Sequence, residues 1–270
     1  MPILLVTGGA GIVATALRPY LRQHYSLRLL DRKPVDDLAA NETFLSTDLT
    51  DAQQVDRAVQ GVDAVLHLAC AHGTDIHFQA TVEPNYHATL YLLEAAHRQG
   101  VKRFVFASSH HVLGQHRGDA AECFDDMPIA PDSYYAMSKV FGEAACATFA
   151  QRNILQTFVI RIGNADPQVS DARRLRMWTS ARDLAQLVCI GIEHPDVRHE
   201  IVYGVSESPN PMFHNRLART LGYRPQDNAG GHLGPGYLAY EAMTVEGSGR
   251  DYVGGAYADA PLTSVLVETQ

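Results

Sequence analysis

The chain has 270 residues, 46% of them hydrophobic, and its 22 basic against 30 acidic side chains leave a formal net charge of -8. That length carries one large domain, or one with a small appendage, around an ordinary globular core. The acidic balance without any basic run argues against a nucleic-acid partner, and no apolar run is long enough to span a bilayer.

The opening MPILLVTGG runs straight into an apolar strand and a glycine turn, with no charged leader or cleavage site, so a cytoplasmic protein is expected. Cys70, Cys123, Cys146 and Cys189 lie far apart with no C-x-x-C pair, which suggests neither a zinc site nor a disulfide framework. Ile3 to Thr7 reads as a strand buried on both faces. In the following TGGAGIVATALRPYL, Gly8 and Gly11 allow a tight turn, and Ile12, Ala16, Leu17 and Tyr20 fall at helical spacing. A helix opening there offers unpaired N–H groups to a pyrophosphate, and Ala14 at the third fingerprint position is small enough for close packing. The second strand, Leu27 to Leu30, ends at Asp31, near the offset at which a carboxylate meets the adenosine ribose of a dinucleotide. NAD is therefore expected over NADP, although Arg32 and Lys33 follow and a cation at this point accommodates a 2′-phosphate. Asp31 also reads as a plain turn residue before Pro34.

Phe44 to Leu49 forms a third strand with Asp48 and Leu49 at its end, and Thr50 or Asp51 caps the next helix. VDAVLHLAC, 62–70, is the fourth strand, and a helix over Asn85 to Gln99 carries Leu90, Leu93 and Ala96 at helical spacing. VKRFVFASS, 101–109, is the fifth strand, 132–150 the next helix and TFVIRIGN, 157–164, the sixth strand. This alternation specifies an α/β protein with a doubly wound parallel sheet, in which ligands bind at the carboxyl ends of the strands. Asp31, Asp48, Cys70, Ser109 and Asn164 all fall at such ends. After Asn164 the pattern loosens: 165–180 is a candidate substrate loop, 180–195 a helix capped by Ser180, 200–208 a strand, and 210–228 holds a short helix ended by Gly222. The tail from Gly230 has no secure assignment, and its DYVGGAYAD segment reads as a strand, a lid or an oligomer contact.

The chemistry lies between Ser109 and Lys139. Tyr135 and Lys139 are spaced Y-x-x-x-K, which puts both on one face of a helix. A free phenol, with a pKa of about 10, is a poor base at neutral pH. A fixed ammonium beside it favours the phenolate, so Tyr135 can take a proton from an alcohol. His110 and His111 raise the question of a metal, but neighbours on an extended chain point to opposite faces and no third ligand is evident, so no metal is expected.

TGGAGIV, Asp31 after the second strand, HLAC at 67–70, Asn85, Ser109 and Tyr135 with Lys139 together resemble the extended short-chain dehydrogenases/reductases, an NAD-dependent epimerase/dehydratase-like group. FASSHHVLG, SYYAMSKVFGE, VIRIGN, the spaced Arg173 and Trp178, YGVS and LGYRPQDN are similar to bacterial uronate dehydrogenases. The resemblance implies a Rossmann core over 1–164, continued by 178–206, with 165–177 and 207–270 as a small C-terminal substrate-binding portion and tail. It implies Tyr135 as the base, Ser109 on the same substrate oxygen, Lys139 on the nicotinamide ribose, and Asn85 holding a water or backbone group that supports the lysine. Gly8, Gly11, Ile12 and Val13 would lie under the pyrophosphate, Asp31 and Arg32 at the adenosine ribose, Asp48 and Leu49 around the adenine, and Leu68, Ala69 and Cys70 along the nicotinamide half. The implied reaction oxidises C1 of a cyclic hexuronate to an aldarolactone with NAD, and Arg173 would meet the carboxylate with its bidentate fork.

The chain also departs from that pattern. His110 stands where the uronate dehydrogenases have Asn, His72 and Asn164 stand where they have Ser, and Ala14 replaces the third glycine, while His111 matches. The changes at the implied sugar contacts His72, His110 and Asn164 bear on which hydroxyl pattern is accepted. Arg173, Arg174 and Arg176 also fit a solvated cluster, and Trp178 reads as packing. The runner-up activity is an epimerase or dehydratase that retains its NAD, against which stands the absence of a visible acid/base pair beside Tyr135. A non-catalytic NAD-binding sensor is a third reading, opposed by the intact Ser109, Tyr135 and Lys139. Pairing through helices 85–99 and 132–150, hence a homo-oligomer, is what the resemblance implies.

Overall fold

The structure, a computed structural model, describes residues 1–118, 125–244 and 249–262; Cys123 and the last part of the tail lie outside the described residues. Strands β1 (Ile3–Thr7), β2 (Ser26–Asp31), β3 (Glu42–Ser46), β4 (Ala64–His67), β5 (Arg103–Ser109), β6 (Gln156–Ile162) and β8 (His199–Gly204) form one sheet in the order β3-β2-β1-β4-β5-β6-β8. Every pairing in it is parallel, which is why the strands read as apolar runs: both faces are covered. Leu4 and Val6 turn toward α1 (Ile12–Leu21) and α7 (Ala181–Glu193), while Leu5 turns toward α2 (Ala52–Val59) and α4 (Ala88–Arg98). The chain is thus the expected doubly wound, Rossmann-type α/β fold.

Several boundaries differ from the sequence reading, each for a local reason. The third strand stops at Ser46, leaving Asp48 and Leu49 in a turn whose Asp51 caps α2 by accepting from Gln53 and Gln54 N–H. The fourth stops at His67, because the N–H groups of Leu68 and Ala69 donate to the Thr7 hydroxyl, 3.1 Å each, instead of to a ladder partner. The helix expected from Asn85 begins earlier, with α3 (Phe78–Thr81), and passes through a π-helical turn, Val82–His87, into α4. Pro84 sits in that turn; the wider ring of a π-turn relieves the clash that proline makes with the preceding turn of an α-helix. Ser133 caps α5 (Tyr134–Gln151) and Ser180 caps α7 through their side-chain oxygens.

The candidate substrate loop is partly ordered as β7 (Val169–Asp171) and α6 (Ala172–Leu175), and β7 pairs in parallel with β9 (Leu233–Leu238) in a separate two-stranded sheet. Helix α8 (Arg216–Thr220) ends before Gly222, as its glycine suggested. Residues 251–254 run along 114–118: Gly118 N–H donates to Asp251 C=O at 2.8 Å, and Val253 and Gly254 N–H donate to His116 and Gly114 C=O at 2.9 Å each. The short helix α9 (Ala256–Asp259) follows, and DYVGGAYAD supplies no strand to either sheet. No helix among the described residues is long and apolar enough to cross a membrane.

Between β5, β6 and α5 lies a buried ion pair. Arg161 Nε and Nη2 donate to the two Glu143 oxygens at 2.9 and 2.8 Å, and Ser108 Oγ donates to the same carboxylate at 2.6 Å. Both charged side chains are almost wholly excluded from solvent. Removing one partner strands the other in a low-dielectric interior. Glu143→Ala is therefore expected to lower the unfolding free energy by about 3–5 kcal/mol, read from chemical denaturation, and Glu143→Gln by less.

Candidate active site

At the end of β1 the chain turns at Gly8, whose φ of +69° and whose approach to Ala69 N, 3.0 Å from an added Cβ, leave no room for a side chain. Gly11 N–H closes the turn on Gly8 C=O at 2.8 Å, and α1 starts at Ile12 without a side-chain cap or an acid in its first turn. The first N–H groups of that helix, at Ile12, Val13 and Ala14, have no intrahelical acceptor, and with the helix dipole they suit a pyrophosphate. Asp31 is more than a turn residue: its carboxylate accepts from Ala10 N–H at 3.1 Å and Lys33 N–H at 3.0 Å, tying the glycine turn to the end of β2. Arg32 is exposed beside it. Hydrogen bonds from Thr50 N–H and its hydroxyl hold the Asp48 carboxyl below its ordinary range, and Leu49 packs onto the core. Leu68, Ala69 and Cys70 follow β4. This set of free donors and close backbone fits NAD.

Ser109 ends β5 and Tyr135 is in the first turn of α5. Lys139, one turn further on, is buried; its Nζ donates to Ala107 C=O at 2.6 Å and lies 5.6 Å from the centroid of the Tyr135 ring. The expected lowering of the tyrosine pKa is not what the chain alone produces. Burial pushes the Tyr135 phenol well above its ordinary value, the neighbouring Cys70 thiol adds to this, and the hydrogen bond with Ser109 opposes it. Asn85 holds a backbone group, one of the two expected alternatives. It is buried in the π-turn and clamps Ala71, accepting its N–H at 2.7 Å and donating to its C=O at 2.9 Å. It further donates to Ser138 Oγ at 2.8 Å, and so supports the 68–72 segment and not Lys139 directly.

The polar end holds the remaining residues. His72 is exposed, with its ring 6.0 Å from that of Tyr135. The expectation that His110 and His111 point apart fails: β5 ends at Ser109, residues 110–113 form a 3-10 turn, and the two imidazoles lie against each other, tilted, with centroids 4.2 Å apart. His110 Nδ1 bonds Ile162 C=O at 3.1 Å, while its Nε2 is buried with no partner. His111 Nδ1 bonds Asp132 at 2.6 Å. Asn164 donates to Asp166 at 2.9 Å and leaves its Oδ1 buried without a partner. Arg173 donates to Val253 C=O at 2.8 Å, and burial, then Arg174, lowers its pKa to about 10. Trp178 is packing, as expected: its N–H donates to Asp166 C=O and its ring stacks on His232. Among the described residues no group of three His, Cys, Asp or Glu could hold a metal ion.

Two residues here escaped the sequence reading. Asp132 is buried beside His111, and Tyr257 of α9 packs against the same imidazole with centroids 4.2 Å apart, its ring 6.2 Å from that of Tyr135. Asp132 lies just before the helix cap Ser133, where an aspartate reads as part of the cap; only the contact with residue 111 reveals it. Tyr257 carried no signal beyond the double glycine before it.

Residues 4–166 match the NAD dependent epimerase/dehydratase family. A uronate dehydrogenase of Pseudomonas putida is 38% identical over 260 residues, which are 95% of this chain and 96% of that protein. The NAD-dependent glucose-6-phosphate dehydrogenase of Haloferax volcanii is 32% identical over 84% of this chain and 94% of its own length. Among solved structures, a mutant uronate dehydrogenase from Agrobacterium tumefaciens complexed with NAD superposes with a TM-score of 0.88 at 29% identity, covering 97% of this chain and 99% of that one. The glycine turn that fits a pyrophosphate and these likenesses agree: the chain belongs to the NAD dependent epimerase/dehydratase family and, with these relatives, is an NAD-dependent dehydrogenase acting on CH–OH groups.

Proposed function

We propose that the protein oxidises a sugar hydroxyl, C1 of a cyclic hexuronate such as glucuronate or galacturonate, to the aldarolactone, with Tyr135 as the base. The observation that carries this reading is the meeting of Ser109, Tyr135 and Lys139 at one strand end, with Arg173 on the segment that closes the same cleft. Bound NAD supplies the hydride acceptor. Tyr135 takes the hydroxyl proton while Ser109 bonds the same oxygen and holds it in line. Lys139, whose Nζ lies 5.6 Å from the centroid of the Tyr135 ring, is in this reading the cation that favours the phenolate, acting against the burial that raises the phenol. Arg173, a cation crowded by Arg174, would meet the carboxylate, and His72, His110, His111 and Asn164 the sugar hydroxyls. In this reading 1–164 with 178–206 carries the cofactor, and 165–177 with 207–270 completes the substrate side.

A second reading, an NAD-retaining epimerase or dehydratase, gains one point from the geometry. An acid/base pair, His111 with Asp132, does stand beside Tyr135, so the sequence argument against dehydration loses its force. Likeness to the uronate dehydrogenases over nearly the whole chain favours the dehydrogenase. Homo-oligomer formation through α4 and α5 is supported by neighbouring aromatic rings on that side, Phe78, Tyr86, Tyr134 and Phe141, and by the exposed Met137.

Absorbance at the NADH band, with excess NAD and galacturonate, glucuronate or the matching neutral aldoses, is expected to rise with an acid sugar. In Tyr135→Phe the rate should fall by about a hundredfold or more. No net NADH from any sugar, together with tight NAD binding, would move the assignment to the retaining epimerase or the sensor. Asp31→Ser is expected to raise KM for NAD about tenfold through loss of a charged hydrogen bond, with NADP gaining relative to NAD; equal use of both cofactors by the unaltered protein would remove Asp31 from that role.

A further inference from the structure

Two neighbouring imidazoles each spend Nδ1 on a group that can only accept. His110 faces a backbone carbonyl, Ile162 C=O at 3.1 Å, so Nδ1 carries its proton. Its other nitrogen is then a lone pair, and this Nε2 is buried and unpartnered in a residue only 7% exposed. Burial, with His111 and Arg173 nearby, holds His110 in the neutral form. A buried acceptor without a donor costs free energy unless a ligand supplies one.

His111 is fixed in the same sense by Asp132. Its Nδ1 lies 2.6 Å from Oδ2 of a carboxylate with no exposed side-chain surface. The carboxylate is itself immobile: Ser133 Oγ donates to its other oxygen at 2.8 Å, and a Cβ on either Gly114 or Gly254 would overlap it. The His111 ring packs against His110 and Tyr257, each at 4.2 Å between centroids. With Nδ1 on Asp132 the nitrogen left for a ligand is Nε2.

We propose that Asp132 is a positioning residue: it holds His111 with Nδ1–H on its carboxylate, so that the Nε2 atoms of His110 and His111 stand side by side as acceptors for the hydrogens of two neighbouring hydroxyl groups of the substrate. The hydroxyl half of this rests on the sugar-oxidising reading above; the tautomers do not. Two neighbouring acceptors select a polyhydroxylated compound and disfavour one with an isolated hydroxyl, which leaves one acceptor empty.

The test is the tautomer itself. Long-range 1H–15N spectra of the histidine-labelled protein at about pH 8, above the ordinary imidazole pKa, with resonances assigned from His110→Asn and His111→Asn, should show both rings protonated at Nδ1 only. Adding galacturonate to the NADH-loaded protein, a pair that cannot react, should move both Nε2 resonances. In Asp132→Asn the His111 ring should lose its single tautomer, and KM for the sugar should rise about tenfold while KM for NAD stays unchanged, a split that general loosening of the fold would not produce. A His111 protonated at Nε2 in the unaltered protein overturns the proposal even if the variant fails to fold, as does an Asp132→Asn protein with unchanged tautomer and KM. If the tautomers are as stated but no sugar yields NADH and none moves the Nε2 resonances, the sugar reading and the hydroxyl contacts fall and the positioning role of Asp132 remains.

Discussion

The buried carboxylate of Glu143 fixes the frame on which the reacting groups hang. It draws Arg161 of β6 and Ser108 of β5 onto α5, one turn beyond Lys139. A charge taken out of water tolerates little drift, because each displaced hydrogen bond leaves a desolvated ion unpaired. The end of β5 and the first turns of α5 are thereby held in one register, and Ser109, Tyr135 and Lys139 ride on those two elements. Geometry of this kind, built on rigid elements and supported from behind, is what proton transfer at a defined distance requires.

The cleft above this frame holds a buried cation, Arg173. Arg173 is lowered by burial and by Arg174, and His110 is kept neutral by burial, His111 and Arg173. Asp132 and Asp171 relieve part of the strain on Arg173. An entering anion would relieve more, since among the described residues the guanidinium bonds only a backbone carbonyl and a thioether. A protein of net charge -8 thus keeps a buried guanidinium beside the cleft where its cofactor fold places the chemistry.

Those parts of the fold set by local pattern were legible in the sequence. The apolar runs of β1, β4 and β5, the serine cap of α7 and the stop of α8 at Gly222 follow from residues a few positions apart. Tyr135 with Lys139, and the glycine turn with Asp31, were legible for the same reason. What escaped depends on distant contacts. That His110 and His111 face the same way follows from β5 ending at Ser109, and Asn85 meets Ala71 because a π-turn rotates it inward. The phenol of Tyr135 is raised and not lowered because of its burial, a property of the packed chain that the spacing of Tyr135 and Lys139 does not reveal. Asp132 and Tyr257 acquire meaning only when residues 251–259 fold back across the strand ends.

The strand order has a consequence for how the chain is made. From β1 outward, β2 and then β3 add on one side, and β4, β5, β6 and β8 add in turn on the other. Each new strand joins an outer edge, and none has to be inserted between two that are already paired. A ribosome delivering the chain from its amino end can therefore extend the sheet stepwise, with each exposed edge waiting only for the next strand in sequence.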